Sequence, residues 1–91
     1  MGYEWLPAVL AALRDVEPYE VMQALRAQHR WPRPVIGPGD IALLTIWART
    51  TAGRPLIVVT RRVDRFDSLI VAAREMNPAE AAEFERWEAS R

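Results

Sequence analysis

The chain contains no cysteine and no lysine, only one histidine, and no apolar run approaching the length of a membrane span. The lack of cysteine excludes disulfides, thiolate nucleophiles and cysteine-ligated metals, and leaves the redox compartment unmarked. His29 stands alone, with no carboxylates around it at ligand spacing, so no metal site is expected. As an isolated imidazole it suits a helix C-terminus, where the dipole favours it. Nucleophilic triads are missing. A phosphate-cradling glycine loop is missing too, because Pro38 between Gly37 and Gly39 removes an amide that such a loop would use. No basic leader, apolar core and small-residue cleavage site open the chain, and a membrane span needs roughly 20 apolar residues. The expectation is a soluble, cytoplasmic protein that binds no cofactor.

What is present fits one small domain spanning residues 1–91, with 51% hydrophobic residues to fill a single core. The net charge is zero, so any attraction to a polyanion must come from uneven distribution. The distribution is uneven. Residues 1–20 carry one Arg against four acids, residues 21–62 seven Arg against Asp40 alone, and residues 63–91 four Arg against seven acids. All twelve basic residues are arginine, whose planar fork of donors suits bidentate recognition of phosphate or carboxylate. A GC-rich genome, which favours Arg codons over Lys, also accounts for that usage without any functional cause.

Along the chain, Trp5, Leu6, Val9, Leu10 and Leu13 follow helical spacing, and Pro7 suits a first helical turn, predicting a helix over about 6–14. Pro18 repeats the device, with Val21, Met22 and Leu25 as the buried stripe of a second helix ending near Gln28. The stretch Arg30–Gly39 is too rich in proline and glycine for helix and is at most an edge strand. Strands are predicted over Ile41–Arg49, Leu56–Val63 and Ser68–Arg74, separated by the turns at 50–55 and 64–67. Asn77 then offers an N-cap side chain, Pro78 the first helical position and Glu80 a carboxylate able to reach back to the cap amide. Ala81, Phe84 and Trp87 share one face of that last helix. The predicted fold is α+β, in the order α-α-β-β-β-α, with a small antiparallel sheet packed by helices.

The chemistry-bearing residues left are arginines. Arg30 and Arg33 lie in the extended arm, Arg49 and Arg54 bracket the first hairpin loop, and Arg61, Arg62 and Arg74 lie on the last two strands. With the basic middle segment in mind, Arg30, Arg33, Arg49, Arg54 and Arg62 are the candidate RNA-binding residues. Because strand neighbours alternate faces, Arg61 and Arg62 cannot both meet one ligand. Trp31 and Trp47 could stack on bases beside them, although tryptophan in so small a domain more often belongs to the core.

Read in order, the chain resembles the BrnT-like family of small bacterial toxins in the RelE superfamily. Such members begin with an aromatic-Trp lead into a first helix, here Tyr3-Glu-Trp-Leu-Pro7, then a second helix, here Tyr19-Glu-Val-Met-Gln-Ala-Leu25. A G-R-x-L-x-V-V hairpin segment matches Gly53–Val59, and an I-x-x-A-R strand end followed by a helix with Glu and an aromatic matches Ile70–Arg74, Glu80 and Phe84. Where many members carry Lys-His-Gly between the first helices, this chain has Arg14-Asp15-Val16, so that imidazole is missing. The resemblance implies a metal-independent ribonuclease neutralised by an antitoxin of ribbon-helix-helix type. It also implies catalytic roles for Arg61 and Arg74 as donors to the scissile phosphate, and for Glu80 as proton acceptor or orienter. The same Arg74 and Glu80 also suit a plain helix-start ion pair with a capping box. A non-catalytic interaction domain of the same fold is the alternative, and self-association is left open.

Overall fold

Proline sets where the helices begin. A computed structural model describes residues 2–91 and places Pro7, Pro18 and Pro78 at the first turns of α1 (Pro7–Ala12), α2 (Pro18–Leu25) and α3 (Pro78–Ala89). The start of α3 is doubly closed. Asn77 Oδ1 accepts from the Glu80 amide at 2.8 Å, and Glu80 Oε1 accepts from the Asn77 amide at 2.9 Å. The second helix ends at Leu25, short of the expected Gln28, because the Arg26 amide turns back to the Met22 and Gln23 carbonyls and tightens the last turn. His29 thus lies beyond the helix. Arg30 takes the place foreseen for it, its Nη1 donating to the Leu25 carbonyl at 2.7 Å.

The three expected strands are present as β3 (Ile41–Arg49), β4 (Pro55–Arg62) and β5 (Asp67–Glu75), paired antiparallel. Two more flank them. The arm forms β2 (Trp31–Gly37) at one edge, antiparallel to β3, where Pro32 and Pro34 are tolerated because an edge strand has a side that needs no donors. The residues read as a lead into the first helix form β1 (Gly2–Trp5), which pairs parallel with β5 from Gly2↔Asp67 to Trp5↔Ile70. The fold is therefore α+β with a mixed five-stranded sheet in the order β1-β5-β4-β3-β2, and not a purely antiparallel three-stranded one.

Alternation divides the sheet between two helical layers. One face gives Ile46, Ala48, Leu56, Val58 and Ile70 to a core shared with Val16, Val21, Ala24 and Leu25. The other gives Trp47 and Ile57 to a cluster with Met76 and Phe84, against which Trp31, Ala81 and Trp87 pack. Trp31 stacks on Trp87 with ring centres 5.4 Å apart and meets Trp47 edge-on, so both tryptophans are packing residues and not free stacking platforms. The first helix buries only Val9, while Leu6 and Leu10 of the expected apolar stripe stay exposed.

Helices cover the sheet toward the β3–β4 loop, where Gly53 takes a positive φ of 93° that a side chain would strain. Toward the opposite turns the sheet is bare, with Val35, Ile36, Ile41, Leu44, Val63 and Phe66 exposed. Among the described residues no helix is long and apolar enough to cross a membrane. Because Asn77 closes the end of α3, Asn77→Ala is expected to cost about 1 kcal/mol. Chemical denaturation checks this, and an unchanged midpoint would refute the capping role.

Candidate polyanion groove

On the α3 face, the bare part of the sheet forms a groove of about 370 Å³. Thr45 and Trp47 of β3 with Ile57 and Val59 of β4 make its floor, Arg33, Pro34 and Val35 of β2 one side, and Arg74 of β5 with Glu80 of α3 the other. Register explains the convergence. Arg33 lies opposite Thr45 and Arg74 opposite Ile57, so both arginines project to the same face from strands on either side of the floor. The Thr45 hydroxyl donates to the Arg33 carbonyl at 2.7 Å and accepts from Trp47 Nε1 at 3.2 Å, leaving the floor without an unmet polar group.

Each groove arginine is held. Arg33 lies 4.4 Å from the Trp31 ring centre and 4.8 Å from that of Trp47, and its Nη1 donates to Glu83 at 2.8 Å. Arg74 grips Glu80 with both terminal nitrogens, at 2.6 and 2.7 Å. That fork holds the Glu80 carboxyl far below its usual 4.5, at about 2, against the opposing effect of partial burial and with added help from the Asn77 amide. The same pair raises Arg74 above its ordinary value. At neutral pH the site is therefore a locked guanidinium–carboxylate pair. An efficient general base needs a pKa near the working pH, so of the two roles implied for Glu80, orienting Arg74 fits the geometry and accepting a proton does not.

The remaining candidates are dispersed. Arg61 falls on the groove face by alternation, beyond Val59, exposed and without a carboxylate partner among the described residues. Arg62 points to the opposite face and lines a separate hollow with Thr60 and Leu44. Arg49, at the covered end, chelates Glu88 at 2.9 and 2.8 Å, holds the Gly53 carbonyl and sits over the Phe84 ring. Arg54 joins Glu20 of α2 at 2.9 Å to Glu75 of β5 at 3.1 Å, and Arg30 closes α2 as described. The expected arginines thus do not make one surface. Arg33, Arg74 and Glu80 come together with Arg61 nearby, while Arg30, Arg49, Arg54 and Arg62 serve other ends of the molecule.

Sequence reasoning missed the groove residues Thr45 and Val35 and the partner Glu83. Glu83 had a usable signal, since it follows Glu80 by one helical turn and so shares its face. Among the described residues no cluster of three His, Cys, Asp or Glu could hold a metal ion. Neither a protein-family model nor a curated protein matches the chain.

The low Glu80 pKa has a consequence for stability. A carboxyl that binds its proton less tightly when folded adds stability above its unfolded value, near 4.5, and that contribution is lost as pH falls toward about 2. Glu80→Gln is expected to lower stability at pH 7 and to flatten the decline between these limits. Denaturation midpoints of both proteins across that range test it, and parallel profiles would exclude the Arg74–Glu80 pair as a source of acid sensitivity.

Proposed function

We propose that this protein is a BrnT-like toxin-type protein that acts on RNA through the α3-face groove and is held in check by a cognate antitoxin of ribbon-helix-helix type. The observation that carries the reading is the pair of guanidiniums, Arg33 and Arg74, presented from β2 and β5 across an uncharged floor. Support also comes from the order of elements, with a helix pair ahead of the antiparallel strands β2–β5 and a closing helix, to which β1 is added at the start. A phosphodiester laid along the groove would meet Arg74, whose side chain is 58% exposed despite its partner. Glu80 spends only part of the five-donor guanidinium. In metal-independent cleavage the RNA 2′-oxygen bonds to the adjacent phosphorus as its proton passes to solvent, and the 5′-oxygen leaves and takes a proton from water. Arg74, oriented by Glu80 and joined by Arg61 farther along the strand face, stabilises the charge that develops on the phosphate.

A second reading is favoured by one observation. Three of the seven arginines of the middle segment, Arg33, Arg49 and Arg54, are paired with carboxylates of the same chain, and so is Arg74 on β5, which reduces the positive charge those residues can offer a polyanion. A non-catalytic interaction domain of the same fold accommodates that fact and the exposed apolar end of the sheet.

Titration with labelled single-stranded RNA at low salt separates the two. Binding is expected, falling steeply as salt is added because phosphate contacts release counterions, and weakened by Arg33→Ala and by Arg74→Ala. In a cleavage assay run alone and with ribosomes, Arg74→Ala is expected to lose on the order of a hundredfold in rate. A folded wild type that neither binds nor cleaves RNA leaves the interaction-domain reading.

A further inference from the structure

Carboxylates follow the helices over this sheet. Arg33, Arg49 and Arg74 find theirs on α3, in Glu83, Glu88 and Glu80, and Arg54 finds Glu20 on α2. At the end of β4 no helix overlies the strand, and there Arg61 and Arg62 have no carboxylate partner among the described residues. Around Arg62, on the face that α2 covers farther along, lies a hollow of about 240 Å³ lined by Pro34, Ala42, Leu43, Leu44, Thr60 and Ser68. The Thr60 hydroxyl already donates to the Leu44 carbonyl at 3.0 Å, so Arg62 is the hollow's one charged group, with the small Ser68 hydroxyl beside it. Leu44 is 37% exposed, and Ile36, on the same face by alternation, is 69% exposed. Tyr3, paired with Ser68 on the neighbouring strand, extends the same face beyond the hollow.

We infer that this bare end of the α2 face is the docking surface for a helical segment of a partner protein, with an apolar stripe for Leu44, Ile36 and Tyr3 and acidic residues for Arg62. A sheet face of this kind is stable when a second layer covers it, and here the second layer is incomplete. A helix fits better than an added strand, because β2, the edge nearest the hollow, carries Pro32 and Pro34, which blunt strand addition. RNA fits poorly, since a strand of phosphates asks for several cations and this surface offers one. The inference gives the partner of the reading above its place of contact, on the opposite face of the sheet from the RNA groove.

The test uses the full chain and a fluorescein-labelled amphipathic helical peptide, its leucine stripe flanked by glutamates, beside a version with lysines in their place. Fluorescence anisotropy is expected to show binding of the glutamate peptide, with NMR amide shifts at Leu44, Thr60 and Arg62. Leu44→Asp should abolish it. Arg62→Glu should weaken the glutamate peptide about tenfold and strengthen the lysine peptide, a reversal that mere loss of structure cannot produce, and circular dichroism confirms that both variants fold. No binding of the glutamate peptide, binding indifferent to Arg62→Glu, or shifts confined to the α3 face overturns the inference. RNA affinity of Arg62→Glu is measured alongside. Peptide binding without RNA binding keeps this surface and removes the groove reading, whereas RNA binding without peptide binding does the reverse.

Discussion

Glu80 is the joint on which the last strand and the last helix turn. Its carboxylate closes the first turn of α3 by accepting from the Asn77 amide and at the same time receives both arms of Arg74 from β5. The pose of α3 over the sheet follows from that double attachment, together with Phe84, which the helix drives fully into the tryptophan cluster. Arg49 and Arg33 then fasten the same helix farther along, to Glu88 and Glu83. The groove exists because α3 begins at this joint and leaves the sheet beyond it uncovered.

Charge in this chain is arranged by folding and not by the linear order. The middle segment, rich in arginine, is flanked by acidic ends, and the fold lays those ends over it. Exposed ion pairs are individually weak, about 0–1 kcal/mol. The Arg49–Glu88 pair has better terms, being bidentate, half-buried and backed by an aromatic ring. Together the pairs fix which helix lies over which strand more than they raise stability, and of the β4 arginines they leave Arg61 and Arg62 without a carboxylate among the described residues.

Locally written features were legible in the sequence. The turns around 50–55 and 64–67, the cap Asn77-Pro-Ala-Glu80 and the edge character of the proline-rich arm all depend on neighbours in the chain, and all are present in the fold. The first strand was not legible. Four residues are too few to show alternation, and their partner lies about 65 positions away in a parallel pairing that needs no turn signal. The stripe of α1 misled for a related reason: helical spacing states which residues could be buried together, while Leu6 and Leu10 find nothing to cover them. For the site, composition pointed to arginine but could not say which guanidiniums the acidic ends would claim. Arg74 and Glu80 were legible because strand end and helix start adjoin in the chain. Arg33 meets them only through the register of β2 on β3.

The parallel pairing of the first strand also bears on how the chain is made. Gly2–Trp5 precedes its partner, residues 67–70, by about 65 positions, so it is made well before the strand it pairs with. At about 5–20 residues per second, several seconds separate the making of the two partner strands. The strands β2 to β5 pair as adjacent segments, so each finds its neighbour as soon as it is made, whereas β1 pairs only with β5. Synthesis order and strand order thus diverge at this edge, and β1 has no partner in the sheet until β5 has been made.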